Sequence, residues 1–109
     1  MRGKYELVIL SAAQSEIEEI GEIHMKLVGA GSARGITDLI YTGLERLRDY
    51  PLIGKTIEDK ELYNKGYRKL ICGNYLCFYR LIGKKIYVYH IADGRTEYKR
   101  LFCDLPAGK

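Results

Sequence analysis

The stretch from Tyr67 to Ala92, YRKLICGNYLCFYRLIGKKIYVYHIA, decides the fold because two short glycine-containing breaks divide it into three apolar and aromatic runs. β-Branched and aromatic residues favour strands, and Gly-Asn and Gly-Lys pairs suit two-residue hairpin loops. The pattern predicts strands over Tyr67–Cys72, Tyr75–Ile82 and Lys85–Ala92, joined as an antiparallel meander.

The middle strand alternates between two sets of side chains, and neither set is polar throughout. The first set is Tyr75, Cys77, Tyr79 and Leu81, and the second set is Leu76, Phe78, Arg80 and Ile82. Successive side chains of a strand point to opposite faces of the sheet. We therefore expect one face to pack on helices and the other face to be rich in tyrosine.

Upstream of the meander, the chain predicts one strand and a first helix. Lys4–Leu10 is apolar and β-branched, and the S-x-x-Q pattern of Ser11 to Gln14 is typical of a capping box that begins a helix. Apolar residues then recur at helical spacing until Gly29. His24 lies on this apolar stripe, which predicts a position in the core or between helices.

A second helix is predicted to begin around Ser32 and to carry an apolar stripe until Pro51 forces Tyr50 out of helical geometry. No regular structure is predicted for residues 52–66, where charged and apolar residues are mixed. The order strand, helix, helix, strand, strand, strand predicts one α+β domain over residues 1–109. In this domain a helical hairpin packs on one face of an antiparallel sheet.

Composition excludes several classes of protein. With 47% hydrophobic and 29% charged residues, the chain is predicted to be globular rather than disordered or fibrous. The longest apolar run, Leu7 to Leu10, is too short to span a membrane and no secretory signal is present, so we expect a cytoplasmic protein.

The three cysteines match no metal or redox spacing. We predict that Cys72, Cys77 and Cys103 are buried or half-buried thiols, with a catalytic cysteine as the less favoured alternative. We expect neither a metal nor a cofactor.

Charge is divided unevenly between the two halves of the chain. Residues 1–60 carry 8 Lys and Arg against 10 Asp and Glu, whereas residues 61–109 carry 10 against 4. A polyanionic partner would therefore dock on the second half. The alternative is that this charge serves solubility alone.

The block from Gly66 to Tyr98 reads GYRKLICGNYLCFYRLIGKKIYVYHIADGRTEY, and its last strand runs into a histidine and an arginine. Together with the element order, it resembles the RelE/ParE superfamily of bacterial toxins from type II toxin–antitoxin systems. The resemblance implies a small toxin that a cognate antitoxin holds inactive. Some members cut messenger RNA in the ribosomal A site and others poison DNA gyrase, and the fold does not choose between these targets.

Under the ribonuclease alternative, the resemblance assigns roles to particular residues. Metal-free RNA cleavage needs an activated 2′-hydroxyl, a stabilised phosphate charge and a protonated leaving oxygen. The matching positions are Lys69, Arg95 and Tyr98, with Arg95 on the phosphate and Tyr98 stacking on a base or moving a proton. Further basic side chains are candidates for RNA binding: Arg68, Arg80, Lys99 and Arg100.

Each of these assignments has a structural alternative. Arg95 can be a surface arginine that follows a turn, and Tyr98 can be a tail tyrosine packed on the sheet. Arg68 and Lys69 point to opposite faces of their strand, so only one of them can line a site, and Lys69 fits the family position better. His90 is a possible acid–base group, although its apolar strand favours a structural, hydrogen-bonded histidine.

One position departs from the ribonuclease members. Their middle strand often has an arginine directly after its first tyrosine, but here Leu76 follows Tyr75. The change removes a phosphate-binding cation and favours the gyrase alternative. Three hypotheses therefore stay open: an endoribonuclease that acts on mRNA at the ribosome, which we favour by a small margin, a non-enzymatic gyrase poison, and a degenerate member that keeps only antitoxin binding.

Overall fold

The computed structural model describes residues 4–95 and 97–102, and the side chain of Lys99 lies outside that description. Its elements follow in the order β1, α1, α2, β2, α3, β3, β4, β5 and a final 3-10 helix. Their bounds are β1 Glu6–Ile9, α1 Ser11–Leu27, α2 Ala30–Arg46, β2 Lys55–Thr56, α3 Lys60–Asn64, β3 Tyr67–Cys72, β4 Tyr75–Ile82, β5 Lys85–Asp93 and the 3-10 helix Tyr98–Phe102.

The three predicted strands of the meander are confirmed, and only β5 differs, by one residue. Gly73 and Gly83 have φ values of 63° and 62°. A positive φ at the first central position is what a type II′ hairpin turn requires, and glycine adopts it without steric cost. The two glycines therefore fix the places where the chain reverses.

The five strands form one sheet in the order β1-β5-β4-β3-β2. β3, β4 and β5 pair antiparallel, as predicted, whereas β1 pairs parallel to β5, with Glu6 opposite Lys85 and Ile9 opposite Val88. The sheet is therefore mixed. A register shift between Phe78 and Tyr79 leaves one extra residue on β5, which is a β-bulge.

The helical hairpin is confirmed, but its predicted capping box is wrong. α1 begins at Ser11 with Leu10 at the N-cap position, and no side chain caps it. The side-chain amide of Gln14 instead donates to Glu18 at 3.1 Å and to the hydroxyl of Tyr41 on α2 at 2.7 Å. The Gln14 side chain, which the sequence pattern assigned to the cap, thus binds Tyr41 of the neighbouring helix instead.

The second helix is displaced relative to its prediction. It begins at Ala30 rather than Ser32 and ends at Arg46, well before Pro51. His24 lies between the helices and the sheet, where Nδ1 is 2.9 Å from the hydroxyl of Ser32 and Nε2 is 3.2 Å from the hydroxyl of Tyr75. Its predicted interface position is confirmed.

The absence of regular structure predicted for residues 52–66 is wrong. The short strand β2 pairs with β3, and the single-turn helix α3 follows it. Asp59 is the N-cap of α3, since its Oδ1 accepts a hydrogen bond from the backbone N–H of Leu62 at 3.0 Å. The N-cap residue Asp59 is a signal that the sequence itself contains. By contrast, β2 forms through its pairing with β3, which the local sequence does not indicate.

Two apolar cores lie on opposite faces of the sheet. Between helices and sheet, the buried residues include Ile17, Ile40, Leu44, Leu47, Tyr79, Ile86 and Val88. On the other face a smaller core contains Ile57, Leu62, Tyr67, Phe78, Ala92 and Phe102. Cys72 and Cys77 are buried free thiols, as predicted, and Cys103 lies outside the described residues. Within the described part of the chain, no helix is long and apolar enough to cross a membrane.

Candidate functional site

The sheet face opposite the long helices carries Tyr67, Tyr87 and Tyr89 and several of the predicted site residues. We name it the tyrosine face. Cross-strand pairing places these side chains on it: Tyr67 and Lys69 of β3, Leu76, Phe78 and Arg80 of β4, and Tyr87, Tyr89, His90 and Ala92 of β5. The predicted division of β4 into two faces is therefore confirmed.

Arg80 is held between two aromatic rings at one end of the tyrosine face. Its guanidinium carbon lies 5.2 Å from the ring centroid of Tyr67 and 5.6 Å from that of Tyr89. Such contacts are attractive because the ring face is electronegative. Burial raises the pKa of Tyr89, so this phenol stays neutral beside the cation. The cluster presents one fixed positive charge flanked by rings.

The 3-10 helix covers the middle of the tyrosine face. The ring of Tyr98 lies 5.0 Å from that of Phe78, and the ring of Phe102 lies 4.8 Å from that of Tyr67. Phe102 is buried and Tyr98 is half-buried. The structure therefore places Tyr98 as a tail tyrosine packed on the sheet, above an apolar floor of Phe78 and Leu76.

Arg95 is one of the residues that line a cleft of about 430 Å³ between two turns and the edge of the tyrosine face. The lining residues are Ile71, Gly73, Asn74, Leu76, Asp93, Gly94 and Arg95. The side chain of Arg95 is 92% exposed, and its Nε and Nη2 lie 3.2 and 3.3 Å from the carboxylate of Asp93. These hydrogen bonds lower the pKa of Asp93. A phosphate at Arg95 would have to compete with this carboxylate.

Lys69 and Arg68 point to opposite faces, as predicted. Lys69 is opposite Phe78 and half-buried on the tyrosine face. Arg68 is opposite Tyr79 on the helix side, and its Nη2 donates to the backbone oxygens of Leu52 and Gly54 at 3.2 and 2.9 Å. Arg68 thus holds the loop before β2 and does not share a face with Lys69.

His90 is joined to the first helix by a carboxylate. Its Nδ1 is 3.2 Å from Glu16, and the same side chain accepts a hydrogen bond from the backbone N–H of Ile91 at 2.9 Å. The His90 ring also contacts Phe102 edge-on, with centroids 5.3 Å apart. His90 therefore has the hydrogen bond that the structural alternative predicts, and it lies where β5 extends beyond its pairing with β1.

Replacing Glu16 with alanine is expected to lower the free energy of unfolding by about 1–3 kcal/mol, because the Ile91 N–H loses its acceptor in a half-buried position. Glu16→Gln keeps one acceptor oxygen and should recover most of that loss. Urea unfolding of both variants measures the difference. Equal losses in the two variants would show that the carboxylate charge, rather than the hydrogen bond to Ile91, carries the effect.

The remaining cationic candidates lie on the final 3-10 helix. The side chain of Arg100 is 82% exposed, and its Nε is 3.5 Å from Glu97. The side chain of Lys99 falls outside the described residues. In residues 4–95 and 97–102, no group of three or more His, Cys, Asp or Glu side chains is placed to hold a metal ion.

Sequence reasoning missed three contacts, one at this site and two on the helix side of the sheet. They are the Glu16–His90 pair, the hydroxyl of Tyr79 that donates to the Pro51 oxygen at 2.8 Å, and the approach of Cys77 Sγ to Cys72 Sγ at 3.7 Å. Only the thiols gave a signal, since two cysteines that flank a predicted hairpin turn on one face must lie near each other. The other two contacts depend on how α1 and the loop before β2 dock on the sheet.

Comparison with known proteins places the chain in a family. A family profile described as "ParE toxin of type II toxin-antitoxin system, parDE" matches residues 7–98. The chain belongs to this ParE toxin family. Membership in a toxin–antitoxin family implies a cognate antitoxin as the partner of this ParE-family chain. A search of curated protein sequences gave no significant match.

Solved structures share the fold of this ParE-family chain. The chromosomal ParDE system from P. aeruginosa matches with a TM-score of 0.70 at 19% identity, covering 84% of this chain and 97% of that chain. The free E. coli toxin RelE, solved as a mutant, matches with a TM-score of 0.60 at 15% identity, covering 94% and 92%. The RelBE2 toxin–antitoxin complex from Mycobacterium tuberculosis matches with a TM-score of 0.57 at 13% identity, covering 83% and 98%. At these identities the matches show the RelE/ParE fold alone.

Proposed function

We propose that this ParE-family toxin acts by binding DNA gyrase, without cleaving RNA. The observation that carries the proposal is the apolar floor of the tyrosine face, where Leu76 and Phe78 lie beneath Tyr98 and Phe102. Metal-free cleavage of RNA needs cations and proton-transfer groups around one phosphodiester. Here the centre of the face is filled by hydrocarbon and aromatic rings.

The positions of the predicted catalytic residues support the same proposal. Arg95 is paired with Asp93 at an exposed turn, and Tyr98 is half-buried on Phe78. The family profile that matches is that of ParE toxins, and the P. aeruginosa structure is a ParDE system. A toxin that works by binding needs a stable surface rather than a phosphate-centred reactive cluster.

The test is a supercoiling assay with purified gyrase and relaxed plasmid. We expect the purified full chain to inhibit supercoiling and to increase the yield of cleaved DNA when gyrase is trapped by denaturant. Topoisomerase I, assayed in the same buffer with the same plasmid, should be unaffected. Unchanged gyrase activity with a toxin excess of about 100-fold over gyrase, at a concentration that stops growth when expressed, would overturn the proposal.

An mRNA endoribonuclease that acts at the ribosome is the second candidate function. The observation in its favour is that Lys69 and Arg80 share the tyrosine face with Tyr67 and Tyr89. Cations interleaved with aromatic rings suit single-stranded RNA. In this alternative Arg95 stabilises charge on the phosphate, while Lys69 and Tyr98 take part in binding and proton transfer.

Arg95→Ala separates the two candidates. Because the side chain is 92% exposed, we expect the Tm of the variant to equal that of the wild type. A ribonuclease that depends on this guanidinium would lose about 10²–10³-fold in rate. Primer extension on a message translated in a purified system measures it, with the exposed Arg34 of α2, changed to alanine, as the control. New 5′ ends that disappear only in Arg95→Ala would establish the ribonuclease and exclude binding alone.

A further inference from the structure

The two buried cysteines form a close pair in the sheet. Cys72 is the last residue of β3, and Cys77 lies in β4. Their residues are diagonal rather than directly opposite, because Cys72 pairs with Tyr75 and Cys77 pairs with Leu70. Both side chains point towards the helices, and their Sγ atoms are 3.7 Å apart.

The two thiols are not equivalent. Cys77 donates its S–H to the sulfur of Cys72, which lowers the pKa of Cys72, and the charge of Arg46 acts in the same direction. The same hydrogen bond and burial raise the pKa of Cys77. Thiolates are the nucleophiles in disulfide exchange. Of the two thiols, Cys72 is therefore the one that more readily becomes a thiolate nucleophile, while Cys77 keeps its proton.

Access also favours Cys72. It is 4% exposed against 0% for Cys77, and it is followed by the exposed turn of Gly73 and Asn74. Above it lies Gly43 of α2, where an added Cβ would be 2.7 Å from the Cys72 sulfur. Strand ends beside turns open more readily than strand centres. Opening of this hairpin end exposes Cys72 before Cys77.

We propose that Cys72 and Cys77 form a reversible thiol–disulfide site that reacts with low-molecular-weight disulfides of the glutathione type. The Cys72 thiolate attacks one sulfur of the small disulfide, whose S–S bond breaks and releases one thiolate that takes up a proton. Cys77 then gives up its proton and attacks the Cys72 sulfur, which displaces the second small thiol. The protein dithiol is oxidised to a disulfide, and the small disulfide is reduced to two thiols.

Bond formation changes the contact between β3 and α2. A disulfide requires an S–S distance of about 2.05 Å, so the two sulfurs must approach from 3.7 Å through rotation of the side chains or a shift at the end of β3. Diagonal cross-strand positions are more widely spaced than directly opposite ones, and a bond between them is strained and more easily reduced. The shift lies beneath Gly43 and beside the cleft at Arg95, which shares the Gly73–Asn74 turn.

The experiment uses the full chain with Cys103→Ser, so that only the paired thiols remain. The folded protein is equilibrated in buffers of increasing ratio of oxidised to reduced glutathione, quenched with acid, alkylated and digested with trypsin. Cleavage after Lys69 and Arg80 gives one peptide, residues 70–80, that contains both cysteines. We expect this peptide to lose both alkylation sites together and the mass of two hydrogen atoms, and to recover them in excess reduced glutathione.

Single-cysteine variants test the order of attack. In the Cys103→Ser background, Cys77→Ala should accumulate one glutathione on Cys72, whereas Cys72→Ala should remain largely unmodified because Cys77 is fully buried. Equal modification of the two variants would overturn the assignment of Cys72 as the attacking thiol. If either variant fails to fold, the Cys103→Ser protein by itself tests the proposal. Two free thiols at every glutathione ratio would overturn the proposal, and so would a stable mixed disulfide without the bond between Cys72 and Cys77.

Discussion

Replacement of Phe78 by alanine is expected to lower the free energy of unfolding by about 3–5 kcal/mol. Phe78 is fully buried and is the residue on which the second core is assembled. Its ring contacts Tyr98 and Phe102 with centroids 5.0 and 5.7 Å apart. Removing it leaves a cavity beneath the 3-10 helix, so this helix should lose protection from hydrogen exchange before the rest of the chain unfolds.

Ile82→Ala is the matched control for Phe78→Ala. Ile82 lies on the same strand and faces the same side, but it is 44% exposed. Its replacement should change the free energy of unfolding by about 0.5 kcal/mol or less. Urea unfolding followed by circular dichroism measures both variants. A loss for Phe78→Ala that matches the small loss for Ile82→Ala would mean that the 3-10 helix does not depend on the second core.

The second large effect concerns two glycines of α2, Gly35 and Gly43. We expect their replacement by alanine to change the free energy of unfolding in opposite directions. In a helix interior, alanine is favoured over glycine by about 0.5–1 kcal/mol. At Gly35 an added Cβ meets nothing within 4 Å, so Gly35→Ala should stabilise the protein by this amount. At Gly43 the Cβ would lie 2.7 Å from the Cys72 sulfur and 3.4 Å from Leu70, so Gly43→Ala should destabilise it by about 1–3 kcal/mol.

Removal of the opposing sulfur tests the cause of the Gly43 effect. Cys72→Ala takes away the atom at 2.7 Å, so Gly43→Ala should cost less in that background than in the wild type. Thermal unfolding of the two single variants and the double variant gives the coupling energy. Strict additivity would show that the helix moves away from the sheet as a whole instead of meeting one sulfur.

The elements that could be predicted from sequence are those whose signals are local. The two glycine turns and the alternation of β4 located three strands to within one residue, and the same alternation separated Arg68 from Lys69 and put Arg80 on the face of Leu76. Apolar stripes found both long helices, but the end signals at Gly29 and Pro51 misplaced their ends. In each of these cases the decisive residues lie within one element or its neighbour.

What could not be predicted depends on contacts between distant parts of the chain. The capping box failed because Tyr41 on the other helix binds Gln14. β2 is only two residues long and exists through its pairing with β3. The surroundings of Tyr98 follow from the packing of the final 3-10 helix on Phe78, which no spacing of residues in the sequence encodes.

The parallel pairing of β1 with β5 constrains the order in which the fold can form. Glu6 pairs with Lys85, so the first strand cannot pair until a much later segment is present. Most of the chain lies within the loop that this contact closes. Long-range contacts of this kind slow folding, because chain entropy is lost before the contact is gained. The hairpins of β3, β4 and β5 and the helical hairpin close much shorter loops. A chain still being synthesised can therefore assemble these units, but it cannot complete the sheet until β5 has emerged.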